Sequence, residues 1–529
     1  MKYFALVLHS HLPYCRQAGV WPFGEEWVLE AMAETYVPLL TLLKKYSNDK
    51  IRVGLSFSPV LVEQLKDPYM QGRFLEFLEA KEEAAREDEK RFTQGREEKL
   101  AALAADYLSY YRQIRRDYQE ILRGDFLGTL RELREAGVVE LLMGAATHGY
   151  LPLLEETALW GQLATGKEAY RHYFQGDPQG IWLPECAYRP GLETYLEELG
   201  LKYFIVDGHA IRGGHVDAVY RAPGPTPSRG VTHGFSTLKP YYTGKSKVAV
   251  FGRDQLTGLQ VWSEDWGYPT DGSYREFHKR DEKSGFHYWR ITGPGTELEG
   301  KDVYDPSAAL AQVAEDARDF VDALQKRSYD HDPAIVLAPF DVELFGHWWR
   351  EGILWLERVF QELSSQGELE MLTPCRYLAL HAPEGSISLP ECSWGQGGRH
   401  YIWQNGATAW LWSQLEEATK GFAQRAGELE NPDPWQRRVL AQGARECLLL
   451  QASDWPFLIS TGQAADYASR RFLDHLSRLE RLLDGLVNDE RGESFNRFLE
   501  ELEAQDNIFP FIDYRHWSRA RLQQVQGQA

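Results

Sequence analysis

With 529 residues the chain is too long for one simple core, so it holds two or three domains or one large barrel with attachments. Its 43% hydrophobic content supports a packed interior, and no apolar run is long enough to span a membrane. A formal net charge of −20 disfavours nucleic acid and anionic membranes as partners, whereas a neutral polymer is indifferent to it.

The first apolar run, residues 3–8, stops at His9, too early for a signal peptide, and reads as a buried first strand. Similar runs follow at 52–57, 138–143, 180–183, 203–206, 248–251 and 334–338, with helical patterns between them. This alternation predicts parallel strands with covering helices, an α/β barrel or a doubly wound sheet. Polar residues stand directly after several runs: His9 and His11, His148, Glu185, Asp207, Asp254 and Asp341. Residues just past the C-terminal ends of parallel barrel strands converge on one mouth. The recurrence therefore predicts a barrel with one shared site, built from 1–207, 248–263 and 306–390. Residues 72–135, rich in Glu, Lys, Arg and Ala, read as a helical excursion with a solvated face. Residues 208–247, with Gly213-Gly214 and Pro223-Gly224-Pro225, read as an active-site loop region. Residues 264–305 read as an inserted subdomain, and 391–529 as a helical C-terminal domain that contributes to the cleft. Five scattered cysteines without a paired spacing predict reduced thiols and a cytoplasmic location.

Two segments carry acids among bulky aromatics: Trp182-Leu183-Pro184-Glu185 and Phe340-Asp341-Val342-Glu343, the latter running on to His347-Trp348-Trp349. A carboxylate against apolar surface is costly unless it is paired or has a task. Cleavage of a glycosidic bond needs two carboxyls of unequal pKa, and aromatic faces hold sugar rings. A separation of about 5–5.5 Å would give retention and a wider gap inversion. For either segment alone, a buried ion pair is an equal alternative. His9 and His11, two apart on a strand, share a face, with His148 available from another unit. Metal ligation, sugar hydroxyl contacts and plain packing all remain open for them. Trp394 and Trp403 stand among Gly395, Gly397, Gly398 and Gly406, as in a loop presenting rings. Asp454-Trp455-Pro456 interrupts the helical region with an acid and an aromatic, and Trp262 lies close after Arg253-Asp254. Packing is an equal alternative for any one tryptophan.

Five segments in order resemble the conserved regions of glycoside hydrolase family 57. They are His9-Ser10-His11-Leu12-Pro13, Gly144-Ala145-Ala146-Thr147-His148, Trp182-Leu183-Pro184-Glu185, Phe340-Asp341-Val342-Glu343 and Ser453-Asp454-Trp455-Pro456. Within that family the chain is similar to the α-1,4-glucan branching enzymes, on the stretch Trp21-Pro22-Phe23-Gly24-Glu25-Glu26-Trp27, on Phe251-Gly252-Arg253-Asp254 and on Gln260-Val261-Trp262-Ser263. The resemblance implies a (β/α)7 barrel with an inserted subdomain and a helical C-terminal domain. It implies a retaining mechanism with Glu185 as nucleophile and Asp341 as acid/base, no cofactor and no metal. His9 and His148 would touch the donor sugar, and Trp262, Trp394, Trp403 and Asp454 would line the cleft for an α-glucan. His11, Trp21, Arg253, Asp254 and Trp455 complete the expected substrate contacts. Relatives carry a tyrosine-bearing loop over the site. Here the corresponding stretch, 233–247, is short, and Tyr241 and Tyr242 are its candidate caps. Hydrolysis of α-1,4-glucan by the same residues is the nearest alternative. A metal-dependent deacetylase built on the His-x-His pair and a non-catalytic glucan-binding protein are remoter ones.

Overall fold

A computed structural model describes residues 2–47, 49–213, 235–263, 265–327, 329, 331–365, 367 and 369–518. Its strands are β1 (Lys2–Ser10), β2 (Val53–Phe57), β3 (Val139–Leu142), β4 (Gly180–Ile181), β5 (Tyr203–Val206), β6 (Tyr241–Thr243), β7 (Ala249–Gly252), β8 (Ala334–Asp341), β9 (Leu369–Met371) and β10 (Ser386–Ile387). One parallel set runs β8-β1-β2-β3 and another β4-β5-β7. A parallel bridge between Met143 and Ile181 joins the two sets, and the Asp254 amide donates to the Leu337 carbonyl at 2.8 Å to close the ring. Seven parallel strands thus make the expected (β/α)7 barrel. Three strands had no counterpart among the predicted runs, because two or three residues are too few to show a period. β6 runs antiparallel to β7, β10 pairs with β6, and β9 pairs with the first residues of β1.

Strand alternation sorts the side chains. Tyr3, Ala5 and Val7 of β1 point inward, to a cluster with Trp182, Tyr203, Ile205, Ile335 and Leu337. Phe4, Leu6 and Leu8 point outward, to the larger cluster under the helices. With both faces covered, the strands read as continuous apolar runs. The odd-numbered parity that places Val7 and Leu337 in the interior carries on to His9 and Asp341, which are register partners at the top of β1 and β8. It is the barrel interior that delivers them to the mouth.

Helices Pro68–Gly95 and Glu98–Arg116 form a hairpin beside the barrel. Asp67 caps the first through the Met70 amide. The inserted stretch docks on this hairpin: Tyr107 Oη donates to the His287 carbonyl, and Tyr288 Oη to Asp88, both at 2.8 Å. The C-terminal region holds helices Ala409–Glu428, Pro434–Leu450, Asp454–Thr461, Ala465–Val487 and Glu493–Gln505. The second begins in a capping box between Asp433 and Gln436. Among the described residues no helix is long and apolar enough to cross a membrane.

Candidate active site

Glu185 follows β4 at the top of the barrel. Pro184 cannot donate to a ladder, so the strand ends and a single turn, Pro184–Cys186, begins. Glu185 takes φ +60°, a left-handed conformation costly for a residue with a Cβ. The Trp394 amide donates to the Glu185 carbonyl at 3.0 Å and holds it there. The carboxylate accepts from Trp394 Nε1 at 2.9 Å and from Ser453 Oγ at 3.3 Å. Burial pushes this carboxyl up to about 7. The two donors and the His11 imidazole pull against burial, and Asp454 adds to it.

Behind Glu185 lies a chain of hydrogen bonds. His9 Nδ1 meets Ser56 Oγ at 3.2 Å, and His9 Nε2 meets His148 Nε2 at 3.0 Å. His148 Nδ1 meets Ser453 Oγ at 2.9 Å. One assignment of protons satisfies every link: Ser56 donates to His9, His9 to His148, His148 to Ser453, and Ser453 to Glu185. Every dipole then points at the carboxylate, so the chain favours its anion. Burial keeps His9 and His148 neutral, well below the usual imidazole range. His9 also stacks on Trp182 with centroids 4.6 Å apart. His11 forms a parallel arm, with Nδ1 on Ser58 Oγ at 2.8 Å and Nε2 on Asp454 Oδ2 at 2.9 Å. Ser56 and Ser58, in and just past β2, repeat the i, i+2 spacing of His9 and His11, in and just past β1, and Ser56 is the register partner of His9. That paired spacing was the sequence signal for the two serines. Ser453 opens the fifth segment of the family resemblance, but no local pattern gives it a role, because it stands 268 positions from Glu185.

Asp341 ends β8 and stands directly before the turn Val342–Leu344, without a side-chain cap bond to it. No hydrogen bond from the described residues reaches its carboxyl. Burial, Glu343 and Glu185 hold its pKa well above the usual range, and Arg253 opposes them. Two acids therefore face the mouth, both raised by burial, one supplied with hydrogen-bond donors and the other with none among the described residues.

The remaining expected residues divide. Trp394 and Asp454 lie in the site through the bonds just given. Three expectations are corrected by burial. Trp403 is 1% exposed, its ring stacked on Tyr150 at 4.6 Å, and it has no free face for a sugar. Trp455 is wholly buried, bonded to the Leu449 carbonyl and covered by the Arg471 guanidinium. Asp254 caps helix Gln255–Trp262 through the Thr257 amide and pairs with Arg327. His9, His11 and His148 are corrected too, since both ring nitrogens of each already have protein partners. Arg253 is buried, 3.6 Å from Asp207, and its charge acts on Asp341. Trp262 and Trp21 remain exposed, at 37% and 72%. Tyr241 and Tyr242 do not cap the mouth. As β6 they pair with Val250 and Ala249, at the start of β7, and Tyr241 is buried against Phe235. Residues 214–234 of the expected loop region lie outside the described residues.

Among the described residues, one trio has potential metal-ligand atoms within 4.8 Å of one another: Glu446, His475 and Asp506, in the C-terminal region. His475 bonds Glu446 at 2.8 Å, Arg471 meets its other nitrogen at 3.0 Å, and Arg478 bonds Asp506 at 2.7 Å. Two guanidinium charges make this a buried ion network hostile to a cation.

The family model of glycosyl hydrolase family 57 matches residues 5–390, and that of the 1,4-alpha-glucan branching enzyme C-terminal region matches residues 414–517. A 1,4-alpha-glucan branching enzyme of Thermococcus kodakarensis is 43% identical over 533 residues, covering 96% of this chain and 77% of its own. A branching enzyme from Pyrococcus horikoshii superposes with a TM-score of 0.88 at 39% identity, covering 98% of this chain and 97% of its own. An alpha-amylase from Thermotoga maritima superposes with a TM-score of 0.84 at 29% identity, covering 98% and 99%.

Proposed function

Because the chain belongs to glycosyl hydrolase family 57, we propose that it is a retaining α-1,4-glucan branching enzyme in which Glu185 is the nucleophile and Asp341 the acid/base. The Glu185 carboxylate attacks the anomeric carbon of the donor chain. Asp341 gives its proton to the glycosidic oxygen as that bond breaks, and the leaving chain departs with a free 4-hydroxyl. The donor is now a β-linked ester on Glu185. Asp341, now a carboxylate, takes the proton from a 6-hydroxyl of the acceptor, whose oxygen attacks the same carbon. The ester breaks, Glu185 is released, and an α-1,6 branch results with both acids restored. The observation that carries the assignment is the unequal supply of donors. Glu185 is served by Trp394 and Ser453, while no described residue donates to the Asp341 carboxyl, whose burial, with Glu343 and Glu185 beside it, favours the protonated form.

Hydrolysis is the same reaction with water in the acceptor's place, and the likeness to the Thermotoga maritima amylase favours it as the second reading. The C-terminal match favours transfer. A net charge of −20 suits a neutral α-glucan partner, and five free cysteines support a reducing, cytoplasmic location.

Incubation with amylose tests the activity. New α-1,6 linkages should outnumber new reducing ends, and reducing ends alone would leave an amylase. Glu185→Gln should lose turnover by more than about a hundredfold with the fold intact. With α-maltosyl fluoride and azide, Asp341→Ala should yield the α-glycosyl azide and Glu185→Ala the β-anomer. The reverse pattern would exchange the two roles.

A further inference from the structure

We propose that Tyr36 and Glu343 form a positioning pair for Asp341, fixing a second carboxyl beside it so that Asp341 keeps its proton until the leaving oxygen arrives. The proposal rests on Asp341 being the acid/base.

The pair begins in an irregularity. Between helices Glu25–Ala31 and Val37–Lys45 the chain makes one π-helical turn, Met32–Tyr36. Such a turn admits one extra residue and re-aims the side chains on it. Here it reaches the loop after β8 three times. Tyr36 Oη donates to Glu343 Oε1 at 2.5 Å. Glu34 Oε2 meets His347 Nδ1 at 2.8 Å. The Glu34 carbonyl sits so close to Gly346 that a Cβ there would stand 1.9 Å from it. Tyr36 is wholly buried, its ring edge-on to Phe57 of β2, and Glu343 is 9% exposed. Glu343 belongs to the single turn that starts directly after Asp341, two residues on. Its position relative to Asp341 is therefore set by a rigid turn and a buried phenol.

The groups facing Asp341 come from four elements: Glu343 on its own turn, Glu185 and the Cys186 thiol after β4, Arg253 after β7, and Tyr36. Glu343 faces Tyr36, His11 and His347. Burial pushes Glu343 up to about 7 and the Tyr36 hydroxyl pulls it back, so the phenol keeps this neighbour's charge available near neutrality. A like charge nearby disfavours ionisation of Asp341. Removing the phenol leaves Glu343 protonated to higher pH and weakens its field. Replacing Glu343 by Gln removes the field outright. Either change lets Asp341 lose its proton at lower pH.

The test is the pH profile of kcat/KM on amylose for the wild type, Tyr36→Phe and Glu343→Gln. The alkaline limb, where the acid loses its proton, should move down by about half a unit or more in both variants. Above that limb the loss on amylose should exceed the loss on α-maltosyl fluoride by about tenfold, since fluoride departs without a full proton transfer. A uniform loss on both substrates with an unmoved limb would make the pair a packing feature and overturn the proposal. Tyr36→Phe removes one oxygen and keeps the ring, so it reads the effect even if Glu343→Gln folds poorly. Asp341→Asn separates the two levels. If the alkaline limb survives in that variant, the acid/base assignment fails. If the limb disappears there yet stays unmoved in the pair variants, this proposal alone fails.

Discussion

Ser453 is the last donor of the chain from Ser56 to Glu185, and its hydroxyl is the one link of that chain that touches the carboxylate. Ser453→Ala removes one of two donors to the Glu185 carboxylate and strands the His148 nitrogen that pointed at it. The carboxyl, already raised to about 7, should rise further. Glu185 must be ionised to attack, so the acid limb of kcat/KM should move to higher pH. The loss should be roughly fivefold below neutrality, as for a hydrogen bond worth about 1 kcal/mol, and should shrink as pH rises. A loss independent of pH would detach Ser453 from Glu185. With every imidazole nitrogen of His9, His11 and His148 turned to a protein partner, the His-x-His motif reads as scaffolding for an anion.

At the scale of elements, the loop after β8 is held by the π turn, and Gly346 is where backbone meets backbone. Its φ of +106° and the adjacent Glu34 carbonyl leave no room for a methyl group. Gly346→Ala should destabilise the protein by about 1–3 kcal/mol in chemical unfolding and lower kcat, because the turn bearing Glu343 must shift. Native stability with native kcat would show that the turn does not clamp the loop. Nothing in Met32-Ala33-Glu34-Thr35-Tyr36 announces a π turn, since its residues fit an ordinary buried helix. By contrast β1 and β8 were legible as strands, and their ends as the mouth, because a long parallel strand covered on both faces must be an apolar run. Tyr241 and Tyr242 misled for the converse reason. β6 is three residues long, and its place at the start of β7 depends on pairing that no local pattern reveals.

For the whole molecule, the site is assembled from the ends of β1, β2, β3, β4 and β8 and the segments that follow them, together with Trp394 and the start of helix Asp454–Thr461, so barrel and C-terminal region complete it jointly. Partition between branching and hydrolysis depends on how well acceptor is held and water excluded. Tyr241 and Tyr242 lie away from that contest. Replacing both with Ala should cost about 3 kcal/mol of stability through the buried Tyr241 ring. The ratio of α-1,6 linkages to reducing ends, counted at a temperature where the variant is folded, should not change. A shift toward reducing ends would return these tyrosines to the mechanism.

Alternation, strand ends and acids that follow apolar runs are properties of a few consecutive residues, fixed by backbone geometry. The sequence by itself therefore determined the barrel, the mouth, and Glu185 and Asp341 as candidates. Burial and partnership are properties of residues far apart in the chain. His11 bonds Asp454 across 443 positions, and Tyr36 bonds Glu343 across 307. Only the tertiary structure decided that Trp403 and Trp455 are core, that Asp254 is a helix cap, and that the histidines line up behind Glu185. A side chain's solvent exposure and its spare hydrogen bonds depend on what the fold packs against it.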